Sequence, residues 1–162
     1  MSQENTKTIA TFYKFAEFPE YEEWKSKLRD WGKCHDILGT MILASEGINA
    51  TVSGSSEGIE YFMNHIREDV RFSDITPRLS ESPRSTFYRL RIITRPEIVT
   101  LGDPSINPNK AVGKYVEPQD WNQLIRDPNV RVIDTRNEYE VKVGTFKGAE
   151  NPHTDTFGQW PE

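Results

Sequence analysis

At 162 residues, with 35% hydrophobic and 28% charged residues and a mean hydropathy of −0.69, the chain can bury one or two small cores with no apolar surplus. A net charge of −5 and a pI near 5.3 exclude a general polyanion binder and leave only local basic patches. The single cysteine, Cys34, excludes an intrachain disulfide, no run approaches the ~20 apolar residues of a membrane span, and Met1 to Thr6 lacks an apolar leader core, so a soluble, cytoplasmic protein without membrane attachment is expected.

The first element is Thr8 to Phe15, T-I-A-T-F-Y-K-F, rich in β-branched and aromatic residues and read as a strand. Pro19 then suits the first turn of a helix in which Tyr21, Trp24, Leu28 and Trp31 share an apolar face, and Gly32 is placed to end it. Ile37 to Ala44 and Ile48 to Ser53 form two further strands. Ser45, Glu46 and Gly47 lie between them, and so short a connection containing Gly predicts an antiparallel hairpin. Ser55 and Ser56 cap a second helix whose buried face is Ile59, Phe62, Met63 and Ile66.

Ile75 to Leu79 reads as a fourth strand and Phe87 to Ile93 as a fifth, with Phe87, Arg89 and Arg91 alternating against Tyr88, Leu90 and Ile92. Strand, helix, strand, strand, helix, strand is the order of a split βαβ or ferredoxin-like plait, with helices on one face of an antiparallel sheet and the other face open. Asp103 to Tyr115 holds two Pro, two Asn and a Gly without apolar period and reads as a linker. Beyond it Pro118 starts a helix with Trp121, Leu124 and Ile125 as its buried face, ended by Asp127 and Pro128. Val130, Val132 and Ile133 then enter Asp134, and Thr135 to Asn137 turn into a short amphipathic helix at Glu138 to Val143.

Three histidines, His35, His65 and His153, lie far apart and none is spaced with Cys34 as a metal ligand, so no metal site is expected. No phosphate-loop motif is present. Cys34 sits beside Lys33 and His35, whose charge would favour a thiolate, but at a helix carboxyl end, which opposes it; it is read as a bystander. Thr76 to Arg95 carries Arg78, Arg84, Arg89, Arg91 and Arg95 against one acid, Glu81. Arg89 and Arg91 beside Phe87 would suit single-stranded RNA on an open sheet face, or form a solvated face balanced by Glu17, Glu20, Glu22 and Glu23. Asp134 and Arg136 mark the end of a strand at which α/β folds gather ligands, or simply brace the turn between them.

The string Asp134, Arg136, Tyr139, Glu140, Gly144, Gly148, Ala149, Asn151 and Pro152 resembles the opening half of the rhodanese-like domain. Ala44-Ser45-Glu46-Gly47-Ile48-Asn49-Ala50, Glu97-Ile98-Val99 and Val112-Gly113-Lys114-Tyr115-Val116, ahead of that half, resemble the bacterial rhodanese-like tRNA uridine hydroxylases. The resemblance covers about Thr8 to Pro152. It implies an α+β ferredoxin-like N-terminal domain at 7–102, a linker at 103–115 and the first half of an α/β rhodanese-like domain at 116–162.

It further implies hydroxylation of the tRNA wobble uridine to 5-hydroxyuridine, with tRNA as partner, molecular oxygen as cosubstrate and no other cofactor. The family's catalytic cysteine loop has no matching position up to Glu162, so no catalytic residue is assigned and the chain alone is expected to be inactive. Glu46 and Asn49 match the family hairpin and join Arg89 and Arg91 as substrate-binding candidates; Asp134 and Arg136 are candidates for the border of the active site. A rhodanese-type sulfurtransferase and a noncatalytic RNA-binding or interaction module remain open alternatives. Val130 to Ile133, with no second strand of its type nearby, is expected to need a cover from elsewhere.

Overall fold

A computed structural model describes residues 6–84, 86–99 and 113–159. The chain divides into two compact units, Met1–Val99 and Thr100–Glu162. Most of the expected linker lies outside the described residues.

In the first unit, β1 (Lys7–Phe15), α1 (Tyr21–Cys34), β2 (Leu38–Ala44), β3 (Gly47–Gly54), α2 (Ser56–Arg67), β4 (Arg78–Ser82) and β5 (Leu90–Thr94) follow in order. The sheet order is β4-β1-β3-β2-β5. Four strands make the antiparallel plait, as the element order predicts, and β5 extends it beside β2. That last pairing is parallel, so the sheet is mixed rather than antiparallel throughout.

The strand alternation separates two faces. Ala10 and Phe12 of β1, Met41 and Leu43 of β2, Ile48, Ala50 and Val52 of β3 and Ile92 of β5 join Trp24 and Leu28 of α1 and Ile59, Phe62, Met63 and Ile66 of α2 in one core. Phe18, Trp24 and Phe72 pack edge to face within it, at centroid separations of 5.1–5.6 Å. α2 begins as expected: the Ser55 hydroxyl accepts from the Gly58 N–H at 3.0 Å.

Several expectations shift. Pro19 lies two residues before α1, in the turn that leads into it. Gly32 does not end α1 but sits inside it, where a Cβ would overlap the Leu90 side chain. The helix therefore comes close enough for β5 to pack on it. The fourth strand starts at Arg78 rather than Ile75, because Ile75 is buried in the core and its carbonyl accepts from Arg67 Nε and Nη2 at 3.0 and 2.7 Å. The fifth starts at Leu90 rather than Phe87, so Phe87 and Arg89 precede the strand and only Arg91 of that trio lies in it.

The second unit contains α3 (Pro118–Leu124), with Pro118 in its first turn, and α4 (Glu138–Val143). Asn137 caps α4 and its N–H donates to Glu140 Oε2 at 3.2 Å, a reciprocal capping box. Among the described residues of this unit only Thr154 is buried. Trp121, Leu124 and Ile125, expected to be buried, are half-buried. Val130 to Ile133 is not a strand but one parallel bridge: Ile133 lies opposite Glu150, with Asp134 N–H donating to Glu150 O at 2.9 Å and Glu150 N–H to Val132 O at 2.8 Å.

Candidate functional site

The hairpin of β2 and β3 turns through Ser45 and Glu46 into Gly47, whose φ of +142° is open to glycine. A Cβ there would strike the Lys14 carbonyl of β1, so glycine is required twice over. The turn is tied to the chain leaving β1, since Ala16 N–H donates to Glu46 O at 2.9 Å and Phe18 N–H to Ser45 O at 2.8 Å. Both candidate side chains of the hairpin reach the same distant residue. Glu46 Oε1 accepts from Ile98 N–H at 2.6 Å, and Asn49 Nδ2 donates to Ile98 O at 3.1 Å. Ile98 is 2% exposed. The E-G-I-N-A string thus clasps the E-I-V string across some fifty residues, which accounts physically for their joint occurrence in this chain.

On the face of the sheet opposite the helices, one register row crosses all five strands: Arg78, Thr11, Thr51, Thr40 and Arg91. Thr11 and Thr51 hydroxyls lie 3.3 Å apart, and both arginines are exposed at the edges of the row. Arg89 lies outside the row. Its carbonyl accepts from Gly39 N–H at 3.1 Å, and the residue lines a pocket of about 410 Å³ at the β5 edge with Arg29, Lys33, Asp36 and Tyr88.

In the second unit Asp134 and Arg136 are joined by three hydrogen bonds, Arg136 Nε to Asp134 Oδ1 at 2.9 Å, Nη2 to Oδ2 at 2.6 Å and the Arg136 backbone N–H to Oδ1 at 3.2 Å. Arg136 Nη2 also donates to Gly144 O at 2.6 Å, and Thr145 Oγ1 donates to Asp134 Oδ2 at 2.7 Å. The Arg136 guanidinium, and then the Thr145 hydroxyl, hold the Asp134 carboxyl well below the usual carboxylate range. The cluster fastens the turn after Asp134 to the chain following α4. It also borders a hollow of about 630 Å³ with Trp121, Val132, Ile133 and Phe146 in its lining, so the two charged residues edge a largely apolar concavity.

Cys34 is exposed at the last residue of α1. Beside it runs a stack that sequence spacing did not reveal, Trp31 on His65 on His35 on Tyr61, with centroids 5.1, 5.6 and 5.4 Å apart. Its members come from α1 and α2 and from the residue after α1, and only the packing of the two helices brings them together. Among the described residues no group of three or more His, Cys, Asp or Glu is placed to hold a metal ion. None of the described helices is long and apolar enough to cross a membrane.

A family model described as the UPF0176 acylphosphatase like domain matches residues 7–98, the whole plait. A tRNA uridine(34) hydroxylase from Picosynechococcus sp. is 45% identical over 154 residues, 95% of this chain and 52% of that protein. One of the same name from Albidiferax ferrireducens is 46% identical, over 94% of this chain and 48% of that protein. The chain spans about half the length of the curated relatives it matches. An acylphosphatase from Coxiella burnetii aligns with 57% of this chain and 99% of its own at a TM-score of 0.41 and 12% identity, too remote a likeness to bear weight.

Proposed function

Because the chain belongs to the UPF0176 acylphosphatase-like domain family by its match over residues 7–98, we propose that it acts in hydroxylating the wobble uridine of tRNA, as the N-terminal portion of a longer polypeptide. The observation that carries this reading is the 45–46% identity, across 94–96% of this chain, to proteins named tRNA uridine(34) hydroxylase. In this reading tRNA is the partner, molecular oxygen the cosubstrate, and the cytoplasm the compartment. The plait is the RNA-facing part, with Arg89 and Arg91 among its contacts. Glu46 and Asn49 serve it indirectly, by fixing the segment at Ile98.

The second unit supplies one wall of a cleft in the longer protein. Its Asp134–Arg136 pair, the active-site border of this reading, holds that wall's turn in shape through Gly144 and Thr145. Mass spectrometry of tRNA nucleosides from cells with and without the gene encoding this chain tests the proposal. Loss of 5-hydroxyuridine, restored by the gene, is expected; an unchanged level overturns it.

A further inference from the structure

Arg71 is paired with Glu20 and Asp69, Arg131 with Glu150 and Arg136 with Asp134; Arg29 and Arg89, like Arg67, Arg78 and Arg91, have no ion-pair partner among the described residues. Arg29 and Arg89, with Lys33, line the pocket at the β5 edge, against a single carboxylate, Asp36. Arg29 and Lys33 lie one helical turn apart on α1, where like charges repel each other and weaken the helix. Lys33, in the last turn, gains from the helix dipole, but Arg29 a turn earlier adds like-charge repulsion and no ion pair.

Tyr88, which lines the same pocket, is fully exposed, so its ring has no packing role within the plait. The negative end of the α1 dipole, equivalent to roughly half a charge, is outweighed by three full cations.

We propose that this pocket grips single-stranded RNA, with Arg29, Lys33 and Arg89 on successive backbone phosphates and the Tyr88 ring stacked under a base. Unpaired cations beside an unburied ring meet the two demands of a flexible nucleic-acid strand, charge neutralisation and a stacking surface. An acidic peptide would use the cations and leave the ring idle. The choice of RNA among polyanions rests on the tRNA reading above, and the pocket adds residues from α1 and the approach to β5 that the sheet's open face does not include.

The test is fluorescence anisotropy of a labelled seven-nucleotide single-stranded RNA with this chain, measured from low to physiological salt. Tyr88→Ala is expected to weaken binding roughly 5- to 100-fold. Arg29→Ala/Arg89→Ala is expected to weaken it further and to reduce the slope of log affinity against log salt by about 0.7 for each phosphate no longer neutralised. Each variant is checked for an unchanged circular dichroism spectrum. Should the double variant not fold, Lys33→Gln with Tyr88→Ala, at exposed positions, carries the same test.

Wild-type affinity and slope in these variants would overturn the pocket, as would equally tight binding of uridine monophosphate, which would make it a small-anion site. If the variants lose RNA while deletion of the gene leaves 5-hydroxyuridine unchanged, the pocket stands and the hydroxylase reading falls. If deletion removes the nucleoside while the variants bind as wild type, the reverse holds.

Discussion

Glu46 and Asn49 hold the two polar backbone atoms of Ile98, one taking its N–H and the other giving to its carbonyl. The hairpin and a segment some fifty residues later thereby become one structural unit. A partly buried backbone group that loses its partner costs about 1–3 kcal/mol, more where that partner was charged. Glu46→Ala is therefore expected to destabilise the plait by roughly 1–3 kcal/mol and Asn49→Ala by about 1 kcal/mol. Urea denaturation measures both. The double variant should cost less than the sum, because both bonds fix the same residue. Full stability of both single variants would free these side chains for a role in binding.

Gly47→Ala should be among the most damaging single-methyl changes at the described positions. It combines a φ of +142° with a clash against the Lys14 carbonyl, an atom held in the β1 backbone. A loss of at least about 2 kcal/mol is expected in the same assay. A loss under half of that would show that β1 yields easily to the turn.

The Asp134 cluster predicts an acid-sensitive turn. Its carboxyl titrates lower in the fold than in the unfolded chain, so the stabilisation is complete above the ordinary carboxylate value of about 3.9 and drains away as pH falls below it. The Gly144 and Thr145 amide resonances should hold steady from pH 7 to about 5 and move only in more acid solution. Asp134→Asn should remove that transition and perturb the same amides at neutral pH. A transition above pH 5 in the parent chain would contradict the assignment.

Much of the plait was legible in the sequence because its signals are local. The apolar faces of Trp24 and Leu28 and of Ile59 to Ile66, the Ser55 cap and the short turn at Ser45 to Gly47 each lie within a few residues of what they determine. Long-range competition was not legible. Ile75 looks like a strand residue, but the core and Arg67 claim it; Phe87 looks like one too, but the strand begins where Leu90 can seat against Gly32.

At the candidate sites, the residue types at Glu46, Asn49, Arg89 and Asp134 could be singled out, and Ile98 stood in a string quoted beside theirs, but the contacts themselves could not be read. Ile98, Arg29 and Thr145 lie some 52, 60 and 11 residues from Glu46, Arg89 and Asp134 respectively, and nothing in the sequence says which side chain meets which.

The second unit is held mainly by polar contacts: Asp134 to Arg136, Arg131 to Glu150, and Glu138 to Asn151 at 2.7 Å. An exposed ion pair such as Arg131–Glu150 contributes at most about 1 kcal/mol, and a few polar contacts of this kind, even with the Asp134 carboxylate largely covered, are too little to offset the ordering of nearly fifty residues. Ile133 and Phe146 remain 43% and 53% exposed. Hydrogen exchange on this chain should therefore show slow amides in β1 to β3 and fast ones throughout residues 113–159. Equal protection in the two units would mean that the second has a source of stability beyond these contacts.

The β5 strand pairs with β2 at a constant separation of 51 residues, and β1 meets β4 across 67 to 75, whereas β2 and β3 meet across only 3 to 15. Closing a long loop costs chain entropy before any contact offsets it, so the central hairpin is the easiest part of the sheet to form and the two outer strands the hardest. Assembly is therefore expected to proceed from the middle outward, with the row from Arg78 to Arg91 completed last. During synthesis the helices and the hairpin can be in place well before the arginines at either edge emerge and dock, so the surface that bears the basic residues is the last to take shape.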